Sequence, residues 1–196
     1  MKNSKKSTLV LILVFVLVIG AAYGGYTWLS KNNAPDQLAQ QQSSQSSDGS
    51  QQEQELVKAP SFMVYDREGK EVLLSDFVGK PIILNFWASW CGPCKHEMPA
   101  FDEAYKKYGD QIEFVMVNAT DGQRETEEIA AAFIDEQGYS FPIYFDSDFD
   151  ASMTYGVRGL PTTYFIDAEG YAVAMAQSTI SADTLQKGID MILPAE

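Results

Sequence analysis

The chain has 196 residues, of which 45% are hydrophobic, and its formal net charge is −13 at pH 7. This length and composition suffice for one compact domain with extensions. From Ala59 onward, 23 Asp and Glu stand against nine Lys and Arg, which gives −14. An acidic surface of this kind argues against binding of nucleic acid or anionic lipid through bulk charge, because both are negatively charged.

The first 30 residues are predicted to anchor the chain in the cell membrane. Lys5 and Lys6 precede an uncharged stretch from Thr8 to Ser30, which is long enough to cross a bilayer once as a helix. The basic tip predicts a cytoplasmic N-terminus and an extracytoplasmic C-terminal domain. A cleaved secretory signal, with Gly20 and Ala22 before the cut, is the alternative, although the apolar run is longer than a usual signal core.

Residues 31–58 are predicted to form a disordered linker, and residues 59–196 the folded domain. The linker includes the run QQQSSQSS and has almost no apolar content, so it cannot bury a core. The domain opens with two short apolar runs, Phe62 to Tyr65 and Val72 to Leu74, on either side of a turn-rich insert. This arrangement predicts a β-hairpin.

The most informative stretch runs from Pro81 to Pro99, with the sequence PIILNFWASWCGPCKHEMP. Its apolar first part predicts a strand that is buried on both faces. Helix-compatible residues follow Cys94 as far as Tyr108, so Cys91 falls at the N-terminus of a helix and Cys94 one turn further on. Unpaired N–H groups and the positive end of the helix dipole stabilise a thiolate at such a position.

Three kinds of chemistry are open to this pair of cysteines. A closed zinc site needs four ligands, and the chain offers two Cys and His96, with no acidic residue at ligand spacing. A structural disulfide across so short a loop would constrain the unfolded chain little. In a redox pair, Cys91 attacks a substrate disulfide and Cys94 then attacks the mixed disulfide. We favour the redox pair, and we expect neither a metal nor a cofactor.

Strands and helices alternate after the dithiol, which predicts a parallel core with right-handed crossovers. The closing pair of strands adds an antiparallel hairpin. The predicted helix at 124–137 is amphipathic, with Ile129, Ala132, Phe133 and Glu136 in its pattern. In chain order we predict a strand at 112–118, this helix, a strand at 142–145, a helical turn at 150–155, strands at 162–166 and 171–176, and a final helix from Ser181 to near Leu193.

The segment NFWASWCGPC, from Asn85 to Cys94, resembles the active-site segment of thioredoxins. The opening hairpin and the central insertion around 124–137 resemble the membrane-anchored, extracytoplasmic reductases of the TlpA/ResA group. The resemblance covers roughly residues 59–193. It implies an α/β thioredoxin fold, in which a mixed central sheet is flanked by helices and carries an N-terminal β-hairpin and a central insertion.

The resemblance also implies roles for residues around the dithiol. Cys91 would be the exposed nucleophile and Cys94 the buried resolving cysteine. The intervening pair, Gly92 and Pro93, is the one that reducing thioredoxins carry. Trp90 would line the substrate-binding surface beside Cys91, together with this pair, whereas Trp87 is expected in the core.

A third element of the site is the sequence GLPT, which ends at Thr162. It resembles the thioredoxin loop in which a cis proline packs against the dithiol, so Pro161 is expected to be cis. The resemblance further implies that the Leu160 backbone pairs with an extended segment of the substrate.

Glu97 is a candidate acid–base residue, because it lies three residues after Cys94 and therefore on the same helical face. A buried carboxylate there would pass a proton to or from the resolving thiol, and the exported reductases have a linked glutamate at this offset. A solvated helix glutamate is the alternative. Asn85 stands where cytosolic thioredoxins have a buried aspartate, which makes Glu97 the better candidate for the base.

The sequence thus predicts an extracytoplasmic thiol–disulfide oxidoreductase that mainly reduces protein disulfides, with cytochrome c maturation as one family precedent. Its partners would be disulfide-containing proteins and a membrane thiol reductase of the CcdA/DsbD kind, because an oxidising compartment keeps a dithiol oxidised unless electrons are supplied. A disulfide-forming oxidase, a peroxiredoxin-like peroxidase and a non-enzymatic binding module are the alternatives.

Overall fold

The computed structural model describes residues 57–193. The predicted anchor at 1–30 and most of the predicted linker at 31–58 lie outside these residues. Within them, no helix combines the length and the apolar character that crossing a membrane requires.

The described part of the chain contains eight strands, four α-helices and one 3₁₀ helix, at Leu74–Phe77. In chain order the other elements are β1 (Val57–Lys58), β2 (Met63–Tyr65), β3 (Glu71–Leu73), β4 (Ile82–Trp87), α1 (Gly92–Tyr108), β5 (Glu113–Asn118), α2 (Glu127–Gln137), β6 (Ile143–Phe145), α3 (Asp150–Thr154), β7 (Thr162–Ile166), β8 (Tyr171–Gln177) and α4 (Ala182–Ile192).

The eight strands form one sheet in the order β1-β8-β7-β4-β5-β6-β2-β3. The central strand β4 runs parallel to β5, and β5 runs parallel to β6. The hairpins β2–β3 and β7–β8 are antiparallel, so the predicted mixed sheet and both predicted hairpins are confirmed. The sheet begins two residues before the expected boundary at Ala59, since Val57 and Lys58 pair with the first two residues of β8.

Side chains of β4 supply both halves of the core. All six of its residues are buried, and they alternate between the two faces of the sheet, as strand geometry requires. Ile83 and Trp87 pack in a cluster with residues of α1, α2 and α4. Ile82, Leu84 and Phe86 pack on the other side with residues of the opening hairpin, the 3₁₀ helix and α3. Helices therefore flank both faces, as predicted.

Helix α2 differs from its prediction in where it begins and in which face it buries. It begins at Glu127, because the hydroxyl of Thr126 accepts a hydrogen bond from the Ile129 N–H and caps its first turn. Ala130 and Ile134 are buried, whereas Ile129 is 46% exposed. Phe133 packs against the core as predicted, but Ile129 and Ala132 do not, because three consecutive alanines, at 130–132, give a weak apolar pattern that does not fix the rotation of the helix.

Gly188 allows α4 to lie against the sheet. A Cβ at this position would overlap the aromatic ring of Phe165, which is fully buried in β7. We therefore expect Gly188→Ala to lower the free energy of unfolding by about 1–3 kcal/mol, the usual cost of overpacking, although alanine is the better helix former. Urea unfolding should show a lower midpoint than for Lys187→Ala, an exposed control on the same helix. An unchanged midpoint would contradict this packing.

Asp102 ties α1 to the loop before β6. Its Oδ1 accepts hydrogen bonds from the Ser140 N–H at 2.7 Å and from the Ser140 hydroxyl at 2.8 Å, and Lys106 forms an ion pair with the same carboxylate. Burial by itself raises the pKa of the Asp102 carboxyl, but Lys106 and Ser140 outweigh this effect and hold that pKa below its ordinary value. The charged form is therefore favoured in the folded state.

A lowered pKa in the folded state means that Asp102 adds stability above its unfolded-state pKa of about 4, and that this stability is lost as the pH falls through the folded value. We expect Asp102→Asn to reduce the free energy of unfolding by about 1–2 kcal/mol at pH 7. The difference from wild type should shrink in urea titrations at progressively lower pH. A difference that stays constant with pH would disprove the assignment, and Asp110→Asn, at an exposed position, is the control.

Candidate active site

The two cysteines are joined in a disulfide at the start of α1. Cys91 is the N-cap of the helix, and its Sγ accepts a hydrogen bond from the Cys94 N–H at 3.2 Å. Pro93 lies in the first turn, where a missing N–H costs no helical hydrogen bond. The predicted placement of both cysteines at a strand-to-helix junction is therefore confirmed.

The expectation of an exposed Cys91 needs correction. Cys91 is 4% exposed and Cys94 is 0% exposed, so both are buried in the oxidised protein. The reason is that the Cys91 side chain turns back to cap the helix and to bond to Cys94. Surface around the disulfide is supplied instead by Trp90, which is 40% exposed, and by the exposed residues Gly92 and Pro93.

Pro161 lies at the same edge of the sheet as the dithiol. The Leu160–Pro161 bond is cis, as predicted. Thr162, the next residue, lies opposite Phe86 at the end of β4 that leads into the dithiol turn. Pro161 is buried and Leu160 is half-buried against the cluster that contains both cysteines.

Glu97 is buried one turn after Cys94, with 3% exposure, so the alternative of a solvated helix glutamate is wrong. Its Oε1 accepts a hydrogen bond from Asn85 Nδ2 at 3.0 Å, and its Oε2 accepts one from the Ile180 N–H at 2.9 Å. The carboxylate thus joins α1 to β4 and to the segment before α4.

Asn85 holds Glu97 from the central strand. It is 1% exposed, and its Nδ2 also donates a hydrogen bond to Thr163 Oγ1 at 2.9 Å on the neighbouring strand β7. Where cytosolic thioredoxins have a buried aspartate, this chain therefore has the neutral Asn85, which donates a hydrogen bond to the carboxylate of Glu97 on α1. The sequence analysis linked Asn85 to Glu97 as the candidate base, and the two side chains are in contact in the structure.

A second buried carboxylate, Glu125, escaped the sequence analysis. It is 0% exposed and accepts hydrogen bonds from the Ser89 N–H at 2.7 Å, the Ser89 hydroxyl at 2.6 Å and Asn118 Nδ2 at 2.7 Å. Glu125 therefore fixes the turn between β4 and α1 that carries the dithiol. It lies in a polar run, DGQRETEE, in which the sequence does not mark one acid as buried.

Trp87 and His96, which the sequence analysis also named, lie in different environments. Trp87 is fully buried, as expected, and its indole packs against Phe133. His96 is exposed on α1. In residues 57–193 there is no group of three or more His, Cys, Asp and Glu that would hold a metal ion.

The sequence matches a known protein family. Residues 57–175 match the model of the AhpC/TSA family. The thiol–disulfide oxidoreductase ResA of Bacillus thuringiensis subsp. konkukian (strain 97-27) is 36% identical over 138 residues, which are 70% of this chain and 78% of that protein.

Solved structures agree with this assignment. A Chlorobium tepidum protein assigned as the thiol:disulfide interchange protein DsbE aligns with a TM-score of 0.63 and 32% identity, covering 71% of this chain and 97% of that one. StoA from Bacillus subtilis aligns with a TM-score of 0.58 and 27% identity, covering 68% and 98%. The chain belongs to the AhpC/TSA family and is a thioredoxin-fold thiol–disulfide oxidoreductase of the ResA/DsbE type.

Proposed function

We propose that the protein is an extracytoplasmic reductase of protein disulfides that works through Cys91 and Cys94. The observation that carries the proposal is the N-cap geometry, in which the Cys94 N–H points at the Cys91 sulfur. In the reduced protein the same N–H and the positive helix end favour a Cys91 thiolate. The direction is supported by the Gly92-Pro93 pair, which resembles that of reducing thioredoxins.

In the first step, the Cys91 thiolate attacks one sulfur of the substrate disulfide. A bond forms between Cys91 and that sulfur, the substrate S–S bond breaks, and the other substrate sulfur leaves as a thiolate that takes up a proton. Trp90, Gly92 and Pro93 form the surface against which the substrate lies. Pro161 borders the dithiol, and the Leu160 backbone pairs with the extended substrate segment, as in β-strand addition.

In the second step, Cys94 loses its proton and attacks Cys91. The Cys91–Cys94 disulfide forms, the mixed disulfide breaks, and the second substrate sulfur leaves as a thiol. Two electrons have then passed from the dithiol to the substrate. Glu97, buried one turn away on the same helical face, serves as the base that takes the Cys94 proton.

The cycle needs an electron donor, because the product of each turnover is the oxidised disulfide. We assign this role to a membrane thiol reductase of the CcdA/DsbD kind. Residues 1–30 would anchor the protein in the cell membrane with the N-terminus in the cytoplasm, and the linker that precedes β1 would give the domain its reach. One family precedent for the substrate is the disulfide of an apocytochrome c, and we retain it here as part of the proposal.

The equilibrium reduction potential of the Cys91–Cys94 couple tests the direction. The full-length chain in mild detergent is equilibrated in defined thiol–disulfide buffers, and its oxidised fraction is measured by thiol alkylation. A potential near that of thioredoxin, about −270 mV, supports a reductase. A potential near that of the strong oxidant DsbA, about −120 mV, would assign disulfide formation instead.

Two alternative functions, a peroxidase and a non-enzymatic binding module, can be tested directly. Peroxide consumption by the reduced full-length chain, at a rate above that of Cys91→Ser, would favour a peroxidase. Reduction of a protein disulfide no faster than by a Cys91→Ser/Cys94→Ser variant would favour a non-enzymatic binding module.

A further inference from the structure

Arg124 lies over the exposed face of the active-site turn. Its guanidinium carbon is 4.0 Å from the centroid of the Trp90 ring, within the range of a cation–π contact. Trp90 directly precedes Cys91 and is 40% exposed. An arginine and a tryptophan, two residue types that are enriched among the strongest contacts of protein interfaces, thus stand together beside the disulfide.

Buried hydrogen bonds hold this pair in place. The Glu125 carboxylate, next to Arg124 in sequence, accepts hydrogen bonds from the N–H and the hydroxyl of Ser89, which is next to Trp90. Trp90 follows Ser89 and Arg124 precedes Glu125, so the hydrogen bonds between Ser89 and Glu125 position both members of the pair. Such a site loses little conformational freedom when it binds a ligand.

The backbone of Arg124 is fixed as well. Asp121 Oδ1 accepts hydrogen bonds from the N–H groups of Gln123, Arg124 and Glu125 at 2.7–2.9 Å. These backbone donors, chiefly those of Glu125 and Gln123, lower the pKa of the Asp121 carboxyl, and the positive charge of Arg124 lowers it further, although desolvation opposes them. The Arg124 side chain itself forms none of the ion pairs found in residues 57–193.

Charge sets this position apart from the rest of the domain. Residues 57–193 contain 22 Asp and Glu and ten Lys and Arg, so most of the surface repels an anion. Two exposed cations nevertheless lie near the dithiol, Arg124 beside Trp90 and Lys95 immediately after Cys94, although the exposed Asp121 lies close to Arg124. A negative group on a substrate would therefore be accepted near the disulfide and repelled over most of the remaining surface.

We propose that Arg124, held over the Trp90 ring, binds a carboxylate that flanks the target disulfide of the substrate polypeptide. A guanidinium in cation–π contact with an indole can still present N–H groups to a carboxylate in a planar, bidentate contact. Substrates with Asp or Glu next to the reducible cysteine are then the preferred class. This inference rests on the proposed reductase function and adds a specificity-determining residue to it.

Three peptides test the inference. Each contains the same intramolecular disulfide, and they differ in one residue beside the cysteine, which is Asp, Asn or Lys. The rate of reduction by the pre-reduced full-length chain is measured under single-turnover conditions. We expect the Asp peptide to react about fivefold faster than the Asn peptide, the size of a well-formed exposed charge pair, and the Lys peptide to react slowest.

Variants assign the effect to Arg124. Arg124→Gln should abolish the Asp-over-Asn preference, and Arg124→Lys should retain part of it, since lysine keeps the charge but not the planar guanidinium. Lys70→Gln changes the net charge equally at an exposed position in the opening hairpin, and it should keep both the preference and the basal rate. Far-ultraviolet circular dichroism checks that each variant is folded.

The outcomes separate the two proposals. If wild type reduces none of the three peptides, the reductase function is wrong. If wild type reduces the Asp and Asn peptides equally fast, or if folded Arg124→Gln keeps the preference, the carboxylate site is overturned while the reductase function stands.

Discussion

Replacement of Cys94 by serine is expected to stop turnover at the mixed disulfide. Because Cys91 remains, the protein still attacks a substrate disulfide, but no second thiol follows to release it. Turnover should fall by about three orders of magnitude or more, as expected when a catalytic nucleophile is removed. Non-reducing gel electrophoresis or mass spectrometry of Cys94→Ser with a disulfide peptide should show a stable adduct on Cys91.

The matched control is Cys91→Ser, which should show neither turnover nor an adduct. Cys94 is fully buried, and its backbone N–H points at the Cys91 sulfur, so it is not placed to meet a macromolecular substrate directly. An adduct on Cys94 in the Cys91→Ser variant would reverse the two roles. Multiple turnovers by Cys94→Ser would show that Cys94 is not needed to resolve the mixed disulfide.

Replacement of Glu97 by glutamine is expected to slow resolution of the mixed disulfide by about a hundredfold, the lower end of what a positioned base supplies. Glutamine keeps the size of the side chain, and its oxygen can still accept the hydrogen bond from the Ile180 N–H, but its NH2 group then faces the donor Asn85 Nδ2. Circular dichroism checks that the variant is folded. It cannot take a proton. Stopped-flow measurement of the second thiol released, over a range of pH, should show a slower and flatter profile than wild type.

Glu103→Gln is the control for this change, because Glu103 is exposed on the same helix. It removes one negative charge without touching the dithiol and should leave the rate unchanged. Asn85→Ala adds a second check: it removes the Nδ2 donor to Glu97 while the carboxylate remains. Resolution in Glu97→Gln at the wild-type rate would show that Glu97 has a structural role only.

Some features follow from the sequence because they are local. The apolar run before the tryptophans predicts a buried strand. The dithiol and the helix-forming residues after it predict a turn and a helix that begins at the first cysteine. Each of these depends on neighbours along the chain. The Gly138 and Ser181 helix boundaries are local in the same way, since Gly138 takes the left-handed conformation and Ser181 caps α4 through its hydroxyl. The sequence also singled out Glu97 by its spacing from Cys94.

Tertiary structure alone decided what surrounds these residues. Glu97 meets partners 12 and 83 residues away, and Glu125 meets Ser89 36 residues away. No local pattern encodes which acid is buried, because burial depends on which donors the folded chain brings to it. The buried face of α2 and the closeness of Arg124 to Trp90 were fixed by the same long-range packing, which depends on shape and not on periodicity.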